Sequence, residues 1–184
     1  FQSLGIKVGF CPCLPKCLAQ WAAILIFAGY VSIPVAVLAG YGKGYLEQRM
    51  QGLVQEDYLP DAITYAGNGE PTLHPEFAGI VDDTLLLRNE YTPNAKVTVL
   101  SNASRIHDPA VFQALLKLDS NILKLDAGFE QTFNLINNPV LPVHFASLIE
   151  NLKKFKGNLI IQSMFLKGPF KGQLVDNTTE REVD

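Results

Sequence analysis

No cluster of lysines and arginines occurs in this sequence, and 15 basic against 18 acidic residues leave a formal net charge of −3. A surface that neutralises nucleic-acid phosphates needs such a cluster, so the composition carries no nucleic-acid signal. Cysteine is scarce: Cys11, Cys13 and Cys17 are the 3 in the chain. An odd number of thiols confined to one short segment is not a disulfide framework, and a reducing, cytoplasmic compartment is the expectation. There is no Walker-type phosphate loop, no G-x-S-x-G nucleophile elbow and no G-x-G-x-x-G dinucleotide fingerprint, which leaves hydrolase and dehydrogenase readings without support. His74, His107 and His144 stand apart in sequence, without the spacing of a zinc site, and none is assigned to a metal.

Charge is missing altogether from Leu18 to Gly42, where Trp21 opens a largely apolar run interrupted by Pro34. By length this is a membrane-span candidate, and Lys7 and Lys16 ahead of it give it the outline of a signal peptide. The rest of the composition, 48% hydrophobic and 18% charged over 184 residues, suits one domain with a single substantial core.

From Tyr45 onward, helical and strand patterns alternate. Tyr45 to Gln55 reads as a helix and Ala62 to Ala66 as a strand. Pro75 suits a helical first turn, and Phe77, Ile80, Val81, Thr84, Leu85 and Leu87 then approximate the i, i+3, i+4 stripe of a helix packed on a sheet. A strand from Lys96 to Leu100 follows, and Asp108 before Pro109 marks the start of a helix through Val111, Phe112, Leu115 and Leu116. Next come a strand from Asn121 to Leu125, a short helix from Phe129 to Asn137, a longer one from Val143 to Phe155 ended by Gly157, and a strand from Leu159 to Phe165. Thr179 and Glu182 have capping-box spacing at the start of a last helix. Such alternation implies right-handed parallel crossovers, so the expected fold is α/β, a partial (β/α) barrel or an open parallel sheet, as a single core over residues 1–184.

Polar residues gather at the strand ends. Ile63 to Tyr65 breaks into Gly67, Asn68, Gly69, Glu70 and Pro71, which reads as a strand tip opening into a site, where loops offer backbone N–H groups and carboxylates. An ordinary Asn-Gly turn, with Glu70 a surface carboxylate, is the alternative. Ser101 and Asn102 end the next strand and face a ligand or simply bond their own backbone. Lys124 and Asp126 alternate with Leu123 and Leu125, so period-two geometry puts both polar side chains on one face, as a site pair or a structural ion pair. Gln162 lies between Ile161 and Met164, a ligand donor or a satisfied core amide.

Taken together, AGNGEPTLHP, VLSNAS, LKLDAGFEQTFNLIN and IQSMFLKGPF…VDNTTE resemble, in order and spacing, a bacterial and archaeal family of radical S-adenosylmethionine (radical SAM) proteins with an AGNGEPT-like motif. The resemblance covers roughly Tyr45 to Asp184, plus Ser3 to Ile6. It implies a six-stranded partial barrel and reductive cleavage of S-adenosylmethionine at a 4Fe-4S cluster, with an external electron donor and an unidentified substrate. Gly67, Asn68, Gly69 and Glu70 would receive the methionine amino group, Ser101 and Asn102 would face the ribose or carboxylate, and Lys124, Asp126 and Gln162 would complete the cofactor site.

The cluster loop departs from the family. Cys13 and Cys17 have the first spacing of a Cys-x3-Cys-x2-Cys loop and are the implied iron ligands, but Gln20 stands where the third thiolate belongs. The catalytic role therefore implied is that of an impaired copy, expected to be truncated at both ends, with an open edge where a last strand is missing. The segments SLGI and LEQRMQGL flank the atypical residues 7–44 at the family's distance, which reads as a disturbed reading frame; a membrane-anchored variant and a divergent soluble loop are the alternatives. A non-catalytic, membrane-associating fragment and an iron-free small-ligand module are the competing functions.

Overall fold

Apolar strands separated by amphipathic helices bury both kinds of surface when the strands pair in parallel and each helix crosses back over the sheet. A computed structural model of the chain describes residues 7–8, 30–32, 35–66, 69–140, 142–170 and 172–183, with side chains from Lys43 onward. Within them run β1 (Lys7–Val8), β2 (Tyr30–Ser32), α1 (Val35–Gln55), β3 (Ala62–Tyr65), α2 (Phe77–Tyr91), β4 (Lys96–Ser101), α3 (Pro109–Leu116) and β5 (Ser120–Lys124). Then follow α4 (Glu130–Asn137), α5 (Phe145–Lys153), β6 (Ile160–Gln162), β7 (Lys167–Phe170), β8 (Gln173–Asp176) and α6 (Glu180–Val183).

The architecture is α/β. Strands β1 to β6 form a six-stranded sheet in the order β1-β6-β5-β4-β3-β2, and each pairing is parallel. Consecutive strands β2 to β6 lie side by side, as in a (β/α) barrel, and β1 adds beyond β6 rather than beside β2. The described sheet is thus an incomplete barrel, open between β1 and β2. The edge expected to be bare at β6 is covered along Ile160 and Ile161 by Lys7 and Val8.

Period-two alternation decides which face meets the helices. Ile63 and Tyr65, Val97 and Val99, Leu123, and Ile161 are buried in one core with Leu46 and Met50 of α1, Phe77 and Val81 of α2, Leu115 of α3 and Leu152 of α5. Thr64, Thr98, Leu100, Ile122, Lys124 and Gln162 point to the other, partly covered face. Asp108 caps α3 as its sequence signature implies, its carboxylate accepting from the amides of Ala110 (2.9 Å) and Val111 (3.4 Å).

Three local features differ from expectation. Helix α1 begins at Val35, well before Tyr45, so the end of the charge-free run is helical in continuity with the recognisable segment. Among the described residues no helix is long and apolar enough to cross a membrane. Strand β6 stops at Gln162, and the residues beyond it form the antiparallel hairpin β7–β8, turned at Gly172 (φ 76°). Glu182 does not close a box on its own helix; its carboxylate reaches instead to the start of α4, accepting from Gly128 N (2.8 Å), Phe129 N (3.3 Å) and Thr132 Oγ1 (2.6 Å). That approach is close enough that a Cβ at Gly128 would lie 2.5 Å from the Glu182 carbonyl oxygen, which requires glycine there.

Two outcomes follow. Leu123 is fully buried at the centre of the sheet, so Leu123→Ala should lower the unfolding free energy by about 2–5 kcal/mol in chemical denaturation. In the hairpin, Lys167 and Asp176 face each other in register and pair at 2.8 Å. The Lys167 ammonium and the hydroxyl and amide of Thr178 hold the Asp176 carboxyl down at about 2, from an ordinary 3.8. A depressed folded-state pKa favours the hairpin above the ordinary carboxylate range, and that contribution is lost as pH falls through about 2. Lys167→Ala should move the Asp176 midpoint upward in an NMR titration of its carboxyl group.

Candidate functional site

The site lies at the C-terminal ends of β3, β4, β5 and β6, where the ladder runs out of partners and no crossover helix covers the backbone. There Gly69, Glu70, Leu100, Ser101, Asn102, Lys124 and Gln162 line an open cavity of about 340 Å³. Register brings them together: Lys124 and Gln162 are direct partners across β5 and β6, and Ser101 pairs with Leu123 across β4 and β5.

After β3 the chain passes Gly67 and Asn68, which lie outside the described residues, to Gly69 (φ 103°). Nothing lies within 4 Å of a Cβ there, so backbone conformation and not crowding calls for glycine. Glu70 then caps the 3₁₀ turn Pro71–Leu73. Its Oε1 accepts from Thr72 N (3.1 Å), Thr72 Oγ1 (2.6 Å) and Ser101 Oγ (2.6 Å). Its Oε2 accepts from Asn102 N (2.6 Å). One carboxylate thereby ties the tip of β3 to the tip of β4.

Ser101 and Asn102 both line the cavity and bond their own backbone. Ser101 Oγ accepts from Ala103 N (3.1 Å) and Asn102 Oδ1 from Ser104 N (2.9 Å), around an Ala103 held at φ 62°. The Asn102 Nδ2 and the Gln162 side-chain amide have no hydrogen-bond partner among the described residues.

Lys124 and Asp126 do share a face, with Lys124 Nζ 2.8 Å from Asp126 Oδ2. Their exposures differ sharply: the Lys124 side chain is 39% exposed and that of Asp126 is 0%. The contact is an ion pair out of hydrogen-bond alignment, since Asp126 Oδ2 accepts no hydrogen bond, while Lys124 Nζ also donates to Asn137 Oδ1 at 3.3 Å. Asp126 is thus set beneath the cavity and does not line it; its Oδ1 takes the amide of Met164 (2.9 Å), joining the exits of β5 and β6.

Sequence reading passed over Asn177, which is 1% exposed. Its Nδ2 donates to the carbonyls of Asp126 (2.6 Å) and Met164 (2.8 Å), and its Oδ1 accepts from Leu166 N. The hairpin is locked through it to the ends of β5 and β6. The one sequence signal was an asparagine within VDNTTE, after a strand pattern that had not been recognised.

Cys13 and Cys17, the implied iron ligands, lie outside the described residues, as do Cys11 and Gln20. Among the described residues no group of three or more His, Cys, Asp or Glu side chains could hold a metal ion. His107 and His144 border a second cavity of about 320 Å³, with Ser104, Ser147 and Asn151. His74 Nδ1 accepts locally from Glu76 N.

No protein-family model matches the chain. Among curated proteins it is similar to a UPF0026 protein of Synechocystis sp., with 30% identity over 124 residues covering 65% of this chain and 43% of that protein. It is also similar to a UPF0026 protein of Helicobacter pylori, 28% identical over 112 residues covering 59% and 35%. A third is the GTPase Obg of Brachyspira hyodysenteriae, 30% identical over 111 residues covering 58% and 16%. The chain spans less than half the length of each of these relatives. Similar solved structures are that of BtrN in complex with AdoMet and 2-DOIA (17% identity, TM-score 0.40, covering 65% of this chain and 43% of that one) and that of archaeal TYW1 (15% identity, TM-score 0.44, covering 73% and 47%).

Replacing Asn177 by alanine orphans the buried Asp126 carbonyl and the part-buried Leu166 N–H and Met164 carbonyl, a buried orphan costing about 1–3 kcal/mol. Asn177→Ala should therefore destabilise the fold by at least that much in urea, with the first loss of amide protection at Leu166.

Proposed function

We propose that the strand-tip cavity binds S-adenosylmethionine and that the chain is a core of radical SAM type. The observation that carries this reading is the convergence of Gly69, Glu70, Ser101, Asn102, Lys124 and Gln162, drawn from motifs far apart in sequence, onto one cavity. Its volume lies at the small-ligand end of the usual range of about 300–1,000 Å³. Its polar groups suit a nucleoside carrying an amino acid: the Gln162 amide and Asn102 Nδ2 for ribose or adenine, the part-exposed Lys124 ammonium, already paired with Asp126, for a carboxylate, and the backbone around Gly69 for an amino group.

In that family S-adenosylmethionine, held at a 4Fe-4S cluster with one open iron, supplies reductive cleavage chemistry driven by an external electron donor. The described residues contain no cluster ligands, and the sequence offers Cys13 and Cys17 at the first spacing with Gln20 in the third position. The proposal for this chain is accordingly cofactor binding by its own strand tips, with cleavage dependent on whether its cysteines retain iron. A GTPase reading finds no phosphate-binding loop within these 184 residues.

Equilibrium dialysis against S-adenosylmethionine tests the binding, and anaerobic reconstitution with iron and sulfide tests the chemistry. Saturable binding that Lys124→Met and Gln162→Ala each weaken roughly tenfold, about 1.4 kcal/mol, is the expected result. Retention of about four irons per chain would extend the reading to catalysis. A folded, colourless protein with no affinity for S-adenosylmethionine would refute it.

A further inference from the structure

We infer that Glu70 is a positioning residue that holds the β4 tip in its ligand-receiving shape, and not the direct acceptor of a ligand's amino group. The inference rests on the S-adenosylmethionine reading of the same cavity and deepens it. A carboxylate has roughly four acceptor positions, and Glu70 already takes four donors from its own chain. Two come from Thr72, which fixes the turn leaving β3; the other two, Ser101 Oγ and Asn102 N, come from the β4 tip more than thirty residues away.

The distribution between the oxygens matters. Oε1 accepts three bonds and is more than filled, while Oε2 accepts the single bond from Asn102 N at 2.6 Å and keeps one acceptor position, so the bracing bonds, and not saturation of the carboxylate, carry the inference. That amide is the first beyond β4, and no strand neighbour takes it. Asn102 in turn closes its own turn through Ser104 N, and Ser101 Oγ relays from Glu70 to Ala103 N. The left-handed conformation of Ala103 (φ 62°), unfavourable for a residue with a Cβ, is held by this chain of bonds. Remove the carboxylate and the Asn102 amide is orphaned, Ser101 loses its acceptor, and the wall of the cavity formed by residues 101 and 102 is released.

Glutamine substitutes in part. With its oxygen toward Asn102 N, its NH₂ donates to the Thr72 and Ser101 hydroxyls, which also accept, and the Thr72 amide alone meets a donor. Glu70→Ala, which removes every acceptor, is the variant that should release the tip.

Two readouts test the inference, one of them without any ligand. Amide hydrogen exchange by NMR should show Asn102 protected in the unaltered chain and exchanging at least tenfold faster in Glu70→Ala; unchanged exchange overturns the clamp. Affinities for S-adenosylhomocysteine and for 5′-methylthioadenosine, which lacks the amino acid, should fall by the same factor, about tenfold or more, in Glu70→Ala. Adding Ser101→Ala to that variant should weaken binding no further, since both changes break one connection. A loss confined to S-adenosylhomocysteine would make Glu70 a direct ligand, and a lower melting temperature with unaltered affinities would make it merely structural; either overturns the inference. If the unaltered chain binds neither nucleoside, the S-adenosylmethionine reading falls and the exchange measurement alone decides the clamp. If Glu70→Ala does not fold, Ser101→Ala and Thr72→Val, each removing one donor, carry the same two readouts with a smaller change.

Discussion

The parallel register of β3 to β6 is the constraint on which the rest of this structure depends. With Ile63 opposite Val97, Val99 opposite Asn121 and Leu123 opposite Ile161, every helix-facing position on adjacent strands falls in one row, and the core closes over it. A slip of one residue on any strand would exchange that row for the polar one. The same register sets Lys124 beside Gln162 and brings Ser101 level with the β3 exit, so the cavity and the core come from a single pairing choice.

At the strand tips the acidic residues act mainly on the chain itself. Glu70 joins β3 to β4, Asp126 joins β5 to β6 and anchors Lys124, and Glu182 joins α6 to the start of α4. Each bridges segments distant in sequence through backbone amides or hydroxyls, which charged acceptors bind more strongly than neutral ones, although Asp126 Oδ2 takes no hydrogen bond and faces only the Lys124 ammonium. Loop ends that would otherwise fray are tied by polar bonds, while the opposite face of the sheet is held by burial.

Much of this was legible in the residues. Strands with β-branched and leucine alternation, the Asp108–Pro109 cap and the stripe of α2 were each visible because period and capping are local signals. The cavity residues could be named because they follow apolar strands directly. What escaped notice was long-range. The capping-box spacing of Thr179 and Glu182 is genuine, but the carboxylate gains more by meeting three donors at α4 than one on its own helix. The β7–β8 hairpin was hidden because Pro169 and two glycines, Gly168 and Gly172, broke the strand pattern; a proline fits an exposed two-stranded ribbon, where one edge of each strand is free. The early start of α1 was hidden by a run whose apolar character carries no helical period.

The two ends of the sheet differ in what their polar groups leave over. At the lower end Arg88 bonds the Ala95 carbonyl and the Asp119 carboxylate, Asp119 accepts the Val97 amide, and Asn121 bonds the carbonyls of Leu115 and Asn158. The atoms left without partners there, Arg88 Nε and Asn121 Oδ1, are enclosed by packing. At the upper end the Gln162 amide and the Asn102 Nδ2 border a cavity, beside a Lys124 ammonium that is paired with Asp126 and bonded to Asn137. A satisfied polar group contributes to stability and a sealed, unpartnered one costs it, whereas donors around a concave opening, held by a braced backbone, are what a ligand meets. The brace and the opening are therefore parts of one arrangement, since donors on an untethered loop would lose in ordering entropy much of what they gained in contact.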